Sequence, residues 1–162
     1  MATPAKSKPS FYKPILWVIF LVYSAILVKI IVIKDPRLFM SSLRQTWRHG
    51  GHFSSTSYTN WEPFKTIKLY LSSNVTFRDA LENVGGNIII FIPLGILLPL
   101  LLKGRHKGVR TIVAGALLSA AFEFFQLYTG CGQFDVDDIM LNTLGTGIGI
   151  VFFWGSRKRK SS

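Results

Sequence analysis

Cysteine is nearly absent: the 162 residues hold one, Cys131. A single thiol closes no intrachain disulfide and builds no thiolate metal centre, so Cys131 reads as a small loop residue. Histidine is scarce, and His49, His52 and His106 all lie away from the acidic segment described below. A serine-hydrolase elbow, an H-E-x-x-H pair and a glycine-rich phosphate loop are missing, so the sequence gives these hydrolase and nucleotide signatures no support. Acids are few, eight against nineteen Lys and Arg, for a net charge of +11. Three stretches hold basic residues and no acid: Lys6, Lys8 and Lys13; then Lys103, Arg105, Lys107 and Arg110; then Arg157, Lys158, Arg159 and Lys160. Charge gathered in short loops and tails signals membrane topology and contact with anionic lipid, not a nucleic-acid footprint.

Apolar residues make up 49% of the chain, mean hydropathy is +0.34, and the apolar residues come in blocks. The blocks place spans at about 15–33, 84–102, 109–128 and 138–154. An α-helix needs about 20 residues to cross roughly 30 Å of hydrocarbon, so the fourth span, 16 residues in its apolar part from Ile139 to Trp154, reads as short. The expected fold is an all-α membrane protein: four transmembrane helices and a long outer loop carrying short interfacial helices. Residues 1–14 read as a disordered cytoplasmic N-terminus, 15–154 as the transmembrane domain and 155–162 as a basic cytoplasmic tail. The first apolar run is long for a signal peptide and no small-x-small cleavage site follows it, which makes it an anchor. Basic loops on one side put both termini in the cytoplasm.

The outer segment is rich in aromatics, with Trp47, Phe53, Tyr58, Trp61, Phe64, Tyr70 and Phe77 suited to the headgroup level. Within it, Asn60 to Leu71 leaves strand and helix both open. Thr76 to Val84 reads as a short helix opened by a Thr76-x-x-Asp79 capping box. The second span carries Pro93 and Pro99, which kink a membrane helix or break it around a cavity.

Glu123 is an ionisable group inside an apolar span, a cost of roughly 2.5–3.5 kcal/mol on insertion scales. It is therefore a functional-site candidate. Asp135, Asp137 and Asp138 follow shortly after it. Counting at about 1.5 Å per residue sets Lys29, Asn87, Glu123, Gln126 and Asn142 within roughly 8 Å of the outer boundary. On the third span Gly115, Ser119, Glu123 and Gln126 share one face, as do Asp138, Asn142, Gly145 and Gly149 on the fourth. The expected site binds through Asn87, Glu123, Gln126, Asp135, Asp137, Asp138 and Asn142, with the three aspartates as a roof and Lys29 as an ion-pair partner for Glu123. Glu123 and Asp138 are the candidates for acid–base chemistry. No cofactor is expected; a hard divalent cation on these carboxylates is the one metal reading open, and D-x-D-D lacks the fuller calcium-loop pattern. A purely structural role, the polar cluster holding the helices together, is the rival to both binding and catalysis.

The stretches N-W-E-P-F-K-T-I (Asn60 to Ile67), N-V-G-G-N-I-I-I-F-I-P-L-G (Asn83 to Gly95), E-F-F-Q (Glu123 to Gln126) and F-D-V-D-D-I-M-L-N-T-L-G (Phe134 to Gly145) together resemble the VanZ-like family of bacterial membrane proteins. The resemblance covers about residues 15–154 and implies a multi-pass helical protein of the bacterial plasma membrane and cell envelope. For the family's founding member it implies low-level resistance to the lipoglycopeptide teicoplanin. Besides the bilayer, the partners it suggests are a lipid-linked wall precursor or a glycopeptide.

Overall fold

Helix α1 runs from Tyr12 to Val32 in the computed structural model, which describes residues 12–33, 36–49, 59–72 and 75–159. Tyr12, Lys13 and Pro14 are therefore already helical, where the sequence suggested disorder up to residue 14; a proline in the first turn lacks only an N–H that would be unsatisfied anyway. Residues 1–11, Phe53, Tyr58 and Lys160 lie outside the described residues. After α1 come α2 (Pro36–His49), β1 (Thr59–Asn60), α3 (Lys65–Tyr70), α4 (Phe77–Ala80), a π-helical turn (Leu81–Gly85), α5 (Gly86–Leu101), α6 (Lys107–Thr129), β2 (Phe134–Asp135) and α7 (Val136–Arg159).

Four helices are long and apolar enough to cross a membrane: Tyr12–Val32, Phe77–Leu101, Lys107–Thr129 and Val136–Arg157. Their outward faces carry large apolar side chains. On α1, Ile15, Val18, Leu21, Val22 and Ile26 are exposed while Leu27 and Val32 are buried, the inverse of a water-soluble surface. The second long helix begins earlier than expected, because α4 runs without a break through the π-helical turn into α5. The Thr76 hydroxyl accepts from Asp79 N–H at 3.2 Å and donates to its carboxylate at 2.7 Å, forming the predicted cap. The last helix is longer than its apolar core, at 24 residues. Arg157 continues it, its guanidinium 5.4 Å from the Phe153 ring, where a basic side chain also suits the negative end of the helix dipole.

Helices α5 and α7 start at the same end of the bundle and pack along each other more extensively than any other pair. Glycine makes this possible. A Cβ on Gly145 would land on the Ile88 carbonyl oxygen, and one on Gly149 on that of Ile92; Gly95 faces the Thr146 carbonyl in the same way. Small residues let membrane helices approach backbone to backbone, where dispersion replaces the absent hydrophobic drive. Pro93 and Pro99 both lie inside a continuous α5, and Tyr23 Oη donates to Ile90 O, in the turn that Pro93 loosens, at 2.8 Å. Leu27, Val32, Phe91, Leu94 and Phe122 form the apolar core where α1, α5 and α6 meet.

At the loop end of the bundle, α2 lies against the C-terminus of α6. Thr46 Oγ1 donates to Thr129 O at 3.3 Å and Ser42 Oγ to Gly130 O at 3.5 Å, serving carbonyls that have no helical partner. Gly130 ends α6 in the left-handed conformation, at φ 66°. The α2 helix places Arg44, Trp47 and Arg48 outward, and Trp47 is 87% exposed.

Candidate functional site

The site is assembled where the N-terminus of α7 meets the end of α6. The short parallel bridge pairs Thr59 with Phe134 and Asn60 with Asp135, which brings the Asn60 to Ile67 segment onto the start of α7. Trp61 stacks on Phe134 with ring centroids 4.1 Å apart, and Phe124 of α6 lies 5.3 Å from the same ring.

The carboxylates around this end then take separate tasks. Asp135, the residue before α7, accepts from Asp137 N–H at 2.8 Å as a helix cap. The same carboxylate holds Asn60 Nδ2 at 2.9 Å and the Thr66 hydroxyl at 2.5 Å. Asp137 is fully buried and turns to α3: it accepts from Phe64 N–H at 2.5 Å and Ile67 N–H at 3.1 Å. Phe64, the residue before α3, makes no side-chain cap of its own and sits at φ 66°, a strained value for a non-glycine residue. Asp137 therefore supplies the missing cap from a residue 70 positions away. Glu123 Oε2 accepts from Asp135 N–H at 2.8 Å, and Asp138 Oδ1 accepts from Asn87 Nδ2 at 2.5 Å. Carboxylates at a helix N-terminus are stabilised by its unsatisfied N–H groups and dipole, by about 0.3–1 kcal/mol each and up to ~2 in partly buried geometry. That field explains how so many acids are tolerated beside a membrane-spanning helix.

Between these groups lies a cavity of about 810 Å³. Of the expected binding residues, Asn87, Glu123, Gln126, Asp135, Asp138 and Asn142 line it. Asp137 does not, because its oxygens face α3 and not the cavity; the expected roof of three aspartates is two aspartates and an anchor. Lys29 does not line it either. It is exposed on α1, whose contribution to the cavity comes from Ile30 and Ile31, with Gln126 Nε2 donating to Ile31 O at 2.8 Å. Lys65–Glu62 and Arg78–Glu82 are ion pairs at the surface. No group of three His, Cys, Asp or Glu among the described residues converges to hold a metal ion.

The predicted polar faces of α6 and α7 are inward. Gly115, Ser119 and Glu123 are buried on α6, and Asn142, Gly145 and Gly149 on α7. Asn142 Nδ2 donates to Ser119 Oγ at 2.8 Å, while its Oδ1 is buried with no hydrogen-bond partner. Sequence reasoning missed Asn60, Lys65, Thr66, Tyr70 and Glu82, which also line the cavity. A two-residue bridge carries no periodicity, so nothing local marked Asn60; its place in one of the stretches behind the family resemblance was the one available signal. Ile30 and Ile89 both line the cavity and are exposed on the bundle's outer face, so its α1–α5 side borders the lipid-facing surface.

Fold and cavity define a helical membrane protein with four candidate spans and a polar chamber at one end of its bundle. The chain belongs to the VanZ/LLP1 family, whose sequence model matches residues 20–157. No curated protein and no solved structure matches the chain. All four stretches that carry the family resemblance contribute to the one chamber, through Asn60, Asn87, Glu123 and Asp138.

Proposed function

We propose that the chamber binds an amphiphilic cell-surface component of the bacterial envelope, of the class of lipid-linked wall precursors, and that the protein thereby reduces the action of teicoplanin. The observation that carries this reading is the two-sided lining: carboxylates and amides from α5, α6 and α7 on one side, isoleucines bordering lipid on the other. A lipid-linked headgroup matches both. The basic clusters at Lys103 to Arg110 and at Arg157 to Lys160 favour a topology with both termini cytoplasmic and the chamber facing outward.

Expression in a susceptible Gram-positive host should lower sensitivity to teicoplanin more than to vancomycin, and Asp138→Asn at equal protein level should remove the difference. Unchanged sensitivity to both drugs on expression of the unaltered chain would sink the reading. A second reading, acid–base chemistry on the same substrate class, draws on Glu123 and Asp138 lining one chamber. Protein in nanodiscs with lipid-linked precursor and Mg²⁺ yields a new product by mass spectrometry under that reading, and bound but unchanged precursor without it.

A further inference from the structure

We propose that the outward face of α2 docks on anionic phospholipid, with Arg44 and Arg48 on the headgroup phosphates and Trp47 beside them at the bilayer boundary. None of these three residues lines the chamber, so docking there does not require the chamber to hold a ligand.

The chain holds α2 near the end of a span. Helix α1 ends at Val32 and α2 begins at Pro36. Four residues reach roughly 14 Å at full extension, so α2 starts close to where α1 leaves the hydrocarbon. Its inner face then fixes it to the end of the bundle. Phe39 packs against the apolar core, Thr46 is buried, and Ser42 and Thr46 donate to Gly130 O and Thr129 O at the end of α6.

The opposite face is exposed. Met40, Arg44, Trp47 and Arg48 form one stripe, each three or four residues from another, as neighbours on a helix surface are. Trp47 is the most exposed of the large apolar side chains, at 87%. An indole joins an apolar body to one polar N–H, and the headgroup level of a bilayer accepts both. Arg44 and Arg48 stand one turn apart, and the planar fork of each guanidinium matches a pair of phosphate oxygens.

Charge complementarity names the occupant. Helix α2 holds three arginines and no acid. Elsewhere in the outer segment basic side chains have acids beside them: Lys65 lies 4.0 Å from Glu62, and Arg78 lies 2.7 Å from Glu82. The stripe also carries Met40 and Trp47, which favour a lipid boundary over a wholly polar polyanion. An anionic surface rewards each arginine near it by about fivefold in binding, and a zwitterionic one offers no net charge.

The test uses the full chain in nanodiscs of phosphatidylcholine with phosphatidylglycerol as the minor lipid, one or the other brominated on its acyl chains. Bromine quenches nearby indoles, and subtracting the signal of Trp47→Phe isolates Trp47. Quenching per brominated lipid should be about fivefold stronger from phosphatidylglycerol than from phosphatidylcholine. The double variant Arg44→Gln, Arg48→Gln should fold like the parent, since both side chains are exposed, and should be quenched equally by the two lipids. Equal quenching in the parent overturns the proposal, and so does a preference that survives in the double variant. Quenching by neither lipid overturns it as well, leaving the face to a partner in water. Loss of the preference on adding soluble glycerol phosphate assigns the arginines to free phosphate and overturns the lipid.

Discussion

Helices α5 and α7 meet in two ways along their length. Around Gly95, Gly145 and Gly149 their backbones touch, and no side chain separates them. Toward their N-termini the same helices are joined by an Asn87–Asp138 hydrogen bond and border a chamber of about 810 Å³. The first region is tolerant of lipid and intolerant of volume. The second accepts volume but must satisfy each polar atom. A membrane protein with little apolar drive between helices can afford the open end because the glycine seam anchors both walls.

The seam is where a substitution should cost most. Gly145→Leu places a branched side chain on the Ile88 carbonyl, and overpacking of this kind costs about 3 kcal/mol or more. A thermal or denaturant melt in micelles should show the variant unfolded or severely destabilised. Gly147→Ala on the same helix, where a Cβ meets nothing within 4 Å, should melt like the parent. Equal tolerance at both positions would remove the seam from the comparison.

Asp137 and Asp138 divide the open end. Asp137→Ala strips the backbone N–H groups of Phe64 and Ile67, at the start of α3, of their acceptor, at about 1.5–3 kcal/mol in all. The expected readout is a lowered melting temperature with faster proteolysis of the Asn60 to Leu71 segment. Asp138→Asn keeps the shape and an acceptor for Asn87, so its stability change should stay below about 1 kcal/mol while the proposed effect on teicoplanin sensitivity disappears. If Asp138→Asn destabilises as much as Asp137→Ala, the whole acidic end is scaffold and the binding reading loses its support.

The smallest effect is expected at Phe64. Its left-handed backbone is strained for a phenylalanine, and Phe64→Gly relieves about 1–2 kcal/mol, part of which returns as added entropy of the unfolded chain. A net gain of roughly 0.5 kcal/mol should raise the melting temperature slightly. A loss would mean that the half-exposed Phe64 ring contributes more through contact than its backbone costs.

Much of this was legible in the chain. The four apolar blocks announced the helices, and the spacing of Gly115, Ser119, Glu123 and Gln126, like that of Asp138, Asn142, Gly145 and Gly149, identified the faces that turn inward. Depth counting grouped Asn87, Glu123, Gln126 and Asn142, which the cavity unites. Lys29 shared their depth and does not line the cavity, because depth fixes height along a helix and not the side it faces. The late end of α7 was hidden because charge stops a hydrophobic run without stopping a helix.

What the sequence determined by itself is therefore local: helix length, apolar stripe and the burial of polar residues at a 3.6-residue period, all consequences of bonds within one segment. Tertiary structure alone decided the division of labour among the acids. Asp137 became an anchor because Phe64 and Ile67, at the start of α3, present it two N–H groups with no helical partner, and Asp138 a chamber wall where Asn87 donates to it. Adjacent in the chain, the two aspartates point about 100° apart around α7, and what each one meets comes from a different, distant segment.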